Sequence, residues 1–347
     1  MNLLLTKCLA PGVFQRAEER FLVIPRCSLG RAARPGAPRC RLLRDKLLDV
    51  PPHILVGTAG FSYKDWEGIV YPPGLKKKQH PLQFLAQYFD CCEINTSFYG
   101  HIRAKTGKEW CDLVAEVNPG FQFTAKLFRS FTHAPGASLQ STSAATLNPL
   151  DEDESNAKEG LNSIAQDKRL GALLIQFPIS FKNTDENRDY LEKLINRFRE
   201  YPLVVEVRHA TWDQPEILAQ FAEQNVAFCN IDQPRLGRSV AATEYSTGPV
   251  AYVRLHGRNY KEWFQSDNRN DRYNYLYTPE QLKPWKQKIE RLGEKAQKTF
   301  AITNNHYKGK AAVNALELKG MLTGKKVKAP GTLVEHYPEL KDFAEAG

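Results

Sequence analysis

Seven short apolar segments of this 347-residue chain end in side chains that can do chemistry. In order they carry Glu93 with Asn95, Lys126, Gln176, Glu206 with Arg208, Asp232, Arg254 with His256, and Asn304 with His306. A spacing of two puts Glu93 with Asn95, Glu206 with Arg208, and Arg254 with His256 on one face of an extended strand. Two carboxylates, three cations and an imidazole gathered in this way suit acid–base work on an anionic substrate. Lys126, Arg208 and Arg254 would hold the anion, since guanidinium forks match phosphate and carboxylate. Glu93 or Glu206 would act as base and His256 as acid, because imidazole ordinarily titrates near neutrality. The plainer alternative is a buried ion-pair network in which Glu206 simply neutralises Arg208. Repetition over several strands favours a pocket.

The same residues raise a divalent metal, because Glu93, Glu206, Asp232 and His256 offer ligands for Mg2+, Mn2+ or Zn2+. No HxH or HExxH spacing accompanies them, and the three cations would oppose a metal electrostatically. No cofactor is therefore assigned, and a metal stays an open alternative. No GxSxG elbow is present, which removes the serine-hydrolase reading. The seven cysteines show no CxxC spacing and read as reduced thiols of a cytoplasmic protein. Cys91 and Cys92 are adjacent, so they face opposite sides of a strand and read as packing.

Such side chains are useful only if the chain holds them at one end of a scaffold. Strand candidates at 53–61, 91–99, 121–127, 170–178, 203–209, 226–232, 250–257 and 299–306 alternate with helix-like segments. The helix-like segments are 81–89, 106–117, 186–200, 214–224, 278–295 and 311–322. Eight strand–helix units predict an α/β fold, a (β/α)8 TIM barrel. A doubly wound open sheet comes second, since no GxGxxG follows the first strand. Barrel strands are covered outside by apolar helices, so the polar strand ends should point inward at the C-terminal mouth. Active sites of this fold lie there.

Two segments exceed a simple connection. Residues 129–160 are rich in Ser, Thr, Asp and Glu and read as a mobile acidic insertion. Residues 258–277 mix aromatics with Arg, Lys and Asn, and Trp263, Phe264, Tyr273 and Tyr275 could stack on nucleic-acid bases there. The run NNHYKGK (304–310) is either a phosphate-binding turn, with Gly309 allowing close approach and Lys308 or Lys310 adding charge, or a plain βα turn.

The formal charge of +9 is mostly a terminal matter: residues 1–50 hold ten Lys and Arg against four acids, leaving only +3 on the rest. A body so near neutrality has no global footprint for a long polyanion. Residues 1–50 read as a basic extension that forms no core, 51–323 as the barrel, and 324–347 as a C-terminal tail. No apolar run is long enough to suggest a membrane span. An apolar content of 42% with 25% charged residues excludes a disordered chain or a disulfide-dense miniprotein.

Seven motifs in order then identify a resemblance. They are GTAGFSYKDWEGIVYPPG (57–74), FDCCEINTSFY (89–99), FTAKLFRSFTH (123–133), LGALLIQFP (170–178), VEVRHATW (205–212), VRLHGRNY (253–260) and NNHYKGKAAVNALELKGML (304–322). Over about residues 53–323 the chain resembles the YecE-like family, also called domain of unknown function 72. The resemblance implies a TIM barrel similar to the xylose-isomerase-like and endonuclease IV-like barrels, and implies no established activity. It adds Tyr63 and Asn305 to Glu93, Asn95, Lys126, Gln176, Glu206, Arg208, Arg254, His256 and Asn304 as motif residues. Three functions stay open: an enzyme on a phosphorylated or phosphodiester substrate, a metal-assisted sugar isomerase, epimerase or lyase, and a non-catalytic nucleic-acid-binding module that uses the Trp263 loop.

Overall fold

The structure, a computed structural model, describes residues 53–134, 142–234, 237–260 and 272–347. Eight parallel strands close into a barrel in chain order. They are β1 (Ile54–Ala59), β2 (Cys91–Ile94), β3 (Gln122–Lys126), β4 (Leu170–Gln176), β5 (Leu203–Glu206), β6 (Ala227–Asp232), β7 (Val250–Leu255) and β8 (Lys298–Thr303). The barrel closes where β8 pairs with β1, Ile54 lying opposite Thr299 and Thr58 opposite Thr303. All eight expected strands are present. Most end earlier than expected, so Asn95, Arg208, His256 and Asn304 stand just beyond them, where the βα loops begin.

Helices α1 (Pro81–Leu85), α2 (Ala104–Ala115), α3 (Asp151–Gln166), α4 (Asp185–Arg197), α5 (Pro215–Glu223), α6 (Pro279–Gly293) and α7 (Lys310–Thr323) follow in sequence. Their starts obey local chemistry. Thr278 and Gln281 form a reciprocal capping box before α6, with Pro279 in the first turn, where its missing N–H costs nothing.

Between β6 and β7 the described residues contain no helix. Asn230 organises that connection. Its Nδ2 donates to the carbonyls of Tyr245 at 2.9 Å and Tyr252 at 3.3 Å, and its Oδ1 accepts from the Thr243 hydroxyl at 2.9 Å and the Tyr245 N–H at 2.7 Å. Asn230→Leu is expected to lower stability by about 1–3 kcal/mol, since buried backbone partners are left unpaired. Urea unfolding checks this, and a change within about 0.5 kcal/mol would mean that the loop finds other partners.

Strand alternation separates two apolar regions. Ala59, Cys91, Ala172, Leu174, Val204, Cys229, Ile231, Tyr252 and Ile302 fill the barrel interior. Val56, Cys92, Phe123, Ile175, Val205 and Val253 face the helices. Cys91 and Cys92 accordingly pack on opposite sides. At β4, Phe123 pairs with Leu170 and Thr124 with Ala172, leaving Gly171 as an extra residue. A Cβ at Gly171 would lie 2.2 Å from a ring carbon of Phe300, so glycine is what lets that ring fill the barrel.

Two expectations need correction. The acidic stretch 129–160 is not simply an insertion: most of its second half belongs to α3. Four acids occupy the first turn of α3, where they suit the positive end of the helix dipole. Ala157, Gly160, Leu161 and Ile164 are its buried face, a helical spacing that the acidic composition obscured. Residues 324–347, expected as a C-terminal tail, are folded against the rest. They form β9 (Val327–Ala329), α8 (Gly331–His336) and β10 (Ala344–Ala346). Strands β9 and β10 pair in parallel, and Leu333 and Leu340 join the core outside the barrel. Among the described residues no helix is long and apolar enough to cross a membrane. Residues 1–50 lie outside the described residues.

Candidate functional site

Alternation along β7 directs Tyr252, Arg254 and His256 inward, and the guanidinium of Arg254 becomes the centre of the mouth. Its Nη2 donates to Glu93 Oε1 at 2.6 Å, while Nη1 reaches Glu206 Oε2 at 2.5 Å and Gln176 Oε1 at 2.9 Å. The other oxygen of Glu93 accepts from the Tyr252 hydroxyl at 2.9 Å, and that hydroxyl also meets Thr124 at 2.7 Å. The other oxygen of Glu206 accepts from Arg208 Nε at 2.8 Å and lies 2.7 Å from Arg208 Nη2. Glu93, Glu206 and Arg254 are all 0% exposed. Two carboxylates and two guanidiniums thus form one closed, internally neutral network. Burial pushes the Glu206 carboxyl up, but the charges of Arg254 and Arg208 outweigh it and hold that group well below the ordinary carboxylate range. Glu206 is therefore ionised and a weak base, contrary to the role expected for it.

Lys126 stands outside this network. It is half-buried at the end of β3, with Nζ 4.1 Å from the centroid of Phe98, and has no ion-pair partner among the described residues. Burial, reinforced by the charge of Arg254, pushes its amino group down to about 7 despite the opposing pull of Glu93 and Glu206. His133 follows β3 and packs edge-on against Phe98 at 4.9 Å. Burial first, then the charges of Lys126 and Arg208, push its imidazole down to about 3. It is a neutral neighbour.

His256 is fully buried, and burial pushes it down to about 3. It is neutral at pH 7, not the titrating acid that its residue type suggested. Its Nδ1 lies 2.9 Å from Asn304 Nδ2; with that amide as oriented, Nδ1 accepts and Nε2 carries the hydrogen. Nε2 comes within 3.3 Å of Glu206 Oε1, yet the direction is poor enough to leave it without a proper hydrogen bond. His256 and Asn304 support the back of the network.

The remaining expected residues divide. Half-buried Gln176 completes the ring around Arg254. Half-buried Asn95 follows β2 near Tyr63, and burial pushes the Tyr63 hydroxyl well above the ordinary phenol range against the opposing pull of Asn95. Tyr63 donates to the Ala59 carbonyl at 2.7 Å and stacks on His306 at 4.3 Å, with Tyr273 on His306 at 4.7 Å. Asn305 does not serve the mouth: its Nδ2 donates to the Tyr275 carbonyl and to Asn314 Oδ1, both at 2.8 Å, tying a loop to α7. Asp232 faces the helices, where Arg258 grips both its oxygens and the Trp285 indole donates to it. The reason is parity: Cys229 and Ile231 take the inward places on β6. Trp263 and Phe264 lie outside the described residues.

The turn at 304–310 is also engaged. Lys308 N–H donates to Asp65 at 2.7 Å, Lys310 Nζ to Asn274 at 2.6 Å, and Tyr337 caps the Lys308 carbonyl at 2.7 Å. A Cβ at Gly309, whose φ is +80°, would lie 2.8 Å from Val70, so this glycine serves packing, as in a plain βα turn. Among the described residues no group of three or more His, Cys, Asp or Glu side chains converges to hold a metal ion. The residue that sequence reasoning undervalued is His133. Its place seven residues after Lys126, at the end of FTAKLFRSFTH, was visible, but its approach to the mouth depends on how the loop folds back.

Comparison with known proteins gives a consistent answer. A family model described as "Protein of unknown function DUF72" matches residues 55–337. The UPF0759 protein YunF of Bacillus subtilis (strain 168) is 27% identical over 286 residues, covering 78% of this chain and 94% of that protein. A DUF72 family protein from Thermotoga maritima MSB8 is 33% identical, with a TM-score of 0.65 over 78% of this chain and 98% of that one. One from Enterococcus faecalis V583 is 26% identical, with a TM-score of 0.66 over 78% and 95%.

Proposed function

The chain belongs to the DUF72 family, and we propose that its barrel mouth is the active site of an enzyme acting on a small anionic substrate, phosphorylated or a phosphodiester. Arg208 and Lys126 hold the anion, and Lys126 moves the proton. The observation that carries this reading is the lysine left outside a closed, neutral carboxylate–guanidinium network at the mouth. With Glu93, Glu206, Arg254 and Arg208 compensating one another, protonated Lys126 gives the mouth its positive bias, and the partly exposed Arg208 adds hydrogen-bond donors for an anion. A lysine near pKa 7 matches what general acid–base catalysis at neutral pH requires. Gln176, Asn95 and Tyr63 supply neutral polar contacts for orientation.

A metal-assisted sugar isomerase, epimerase or lyase has less support. All four oxygens of Glu93 and Glu206 already accept from Arg254, Arg208 and Tyr252, and a metal would have to displace guanidiniums. A nucleic-acid module gains little from a body of charge +3.

The test is anion binding by calorimetry and thermal unfolding, using inorganic phosphate and pyrophosphate at constant ionic strength. Wild type is expected to bind saturably. Arg208→Ala is expected to weaken binding at least tenfold, about 1.4 kcal/mol. Phosphate binding that ignores Arg208→Ala would overturn the assignment.

A further inference from the structure

Lys126 has the surroundings of a nucleophile as well as those of a proton carrier. Resting on the active-site reading above, we propose that Lys126 Nζ adds to the carbonyl carbon of a small substrate that also bears a phosphate or carboxylate, forming an iminium.

A lysine that only anchors an anion works best fully protonated and beside solvent. Lys126 is instead half-buried, and the carboxylates nearest in effect, Glu93 and Glu206, are both engaged by guanidiniums. The charges that act on it are Arg254 and Arg208, opposing its protonation, and Glu93 and Glu206, favouring it. Neutral His133 adds no counter-charge. With its pKa pushed down to about 7, a substantial share of the amine is free at neutral pH. An ordinary lysine at about 10.4 leaves roughly one part in a few thousand. A lysine made nucleophilic by burial and a neighbouring cation is the usual requirement for imine chemistry.

The scheme divides the labour: Arg208, beyond β5, offers a partly exposed guanidinium for the anionic end, and Lys126, at the end of β3, takes the carbonyl end. The amine lone pair forms the C–N bond, the carbonyl π pair moves to oxygen, and that oxygen takes the amine proton. The resulting hydroxyl gains a second proton from solvent and leaves as water as the nitrogen lone pair closes the C=N+ bond. The face of Phe98, 4.1 Å from Nζ, favours the cation that forms. An iminium there withdraws electrons from the adjacent carbon, so the reactions it opens are loss of a proton or of a carbon fragment next to that carbon.

The experiment is reductive trapping of the full-length chain at pH 7 with cyanoborohydride and one of four probes. These are dihydroxyacetone phosphate, pyruvate, and their uncharged counterparts dihydroxyacetone and acetone. Peptide mass spectrometry is expected to place one adduct on Lys126, formed at least tenfold faster with the anionic member of a pair. Lys126→Arg should lose it with an unchanged unfolding temperature. Arg208→Ala should keep labelling at Lys126 but lose the preference for the anion. Adducts on Lys126 no faster than on exposed lysines, with both anionic probes, would overturn the nucleophile. If inorganic phosphate still binds through Arg208 in that case, the anion pocket stands without imine chemistry. If phosphate binding fails as well, both readings fall.

Discussion

Arg254→Met is expected to cost about 3–5 kcal/mol of folding free energy at pH 7, because it leaves two fully buried carboxylates without their shared cation. Glu93 keeps the Tyr252 hydroxyl, and Glu206 keeps Arg208 as its one cation together with the weak Cys229 thiol donor. The loss should depend on pH with a definite sign. The native Glu206 carboxyl is held well below its ordinary value. A group depressed in this way adds stability above its unfolded pKa, about 4.3, and loses it as pH falls through the native value. The gap between wild type and Arg254→Met should therefore be widest near neutrality and narrow below about pH 4. Denaturant unfolding across pH measures it. The triple change Glu93→Gln, Arg254→Met, Glu206→Gln should recover part of the loss, since the one charge left without its partner, Arg208, is partly exposed and no uncompensated charge remains fully buried. A single-variant loss below about 1 kcal/mol would mean that water reaches these carboxylates.

Lys126→Met is expected to have the opposite effect, making the protein more stable than wild type at pH 7. The native amino group gives up its proton near 7, whereas the unfolded one holds it to about 10.4. Between those values the unfolded chain binds more protons, so raising pH stabilises the native state. Wild type should thus gain up to about 1.4 kcal/mol per pH unit over that window relative to Lys126→Met. The difference between the two proteins should close near pH 10. Parallel stability–pH curves for the two would show that Lys126 titrates as an ordinary surface lysine. The same substitution should abolish trapping by anionic carbonyl compounds, so a gain in stability and a loss of chemistry are expected at one residue. That combination, if measured, would mark a site whose strain serves function.

Much of this was legible in the sequence, for a local reason. Period-two alternation put Glu93, Lys126, Glu206, Arg208, Arg254 and His256 at polar strand ends, and all six meet at or beside the Arg254 network. The same reasoning failed at Asp232. One residue of register reverses the face of a side chain, and the apolar neighbours Cys229 and Ile231 had already taken the inward places. It failed at 151–166 because charge hid the spacing of Ala157, Gly160, Leu161 and Ile164.

What the chain by itself determined is the set of eight strands, their order and, Asp232 excepted, which polar strand-end residues gather at the mouth, since strand period is written in neighbouring positions. Only the closed barrel decided the partners. Arg254 meets Glu206 across 48 residues of chain and Glu93 across 161. Spacing could not tell that both carboxylates would be engaged by one guanidinium, nor that Lys126 would stand outside the network while His256 was buried neutral. Ionisation depends on burial and on charges a few ångströms away through space, and both are set by closure of the sheet.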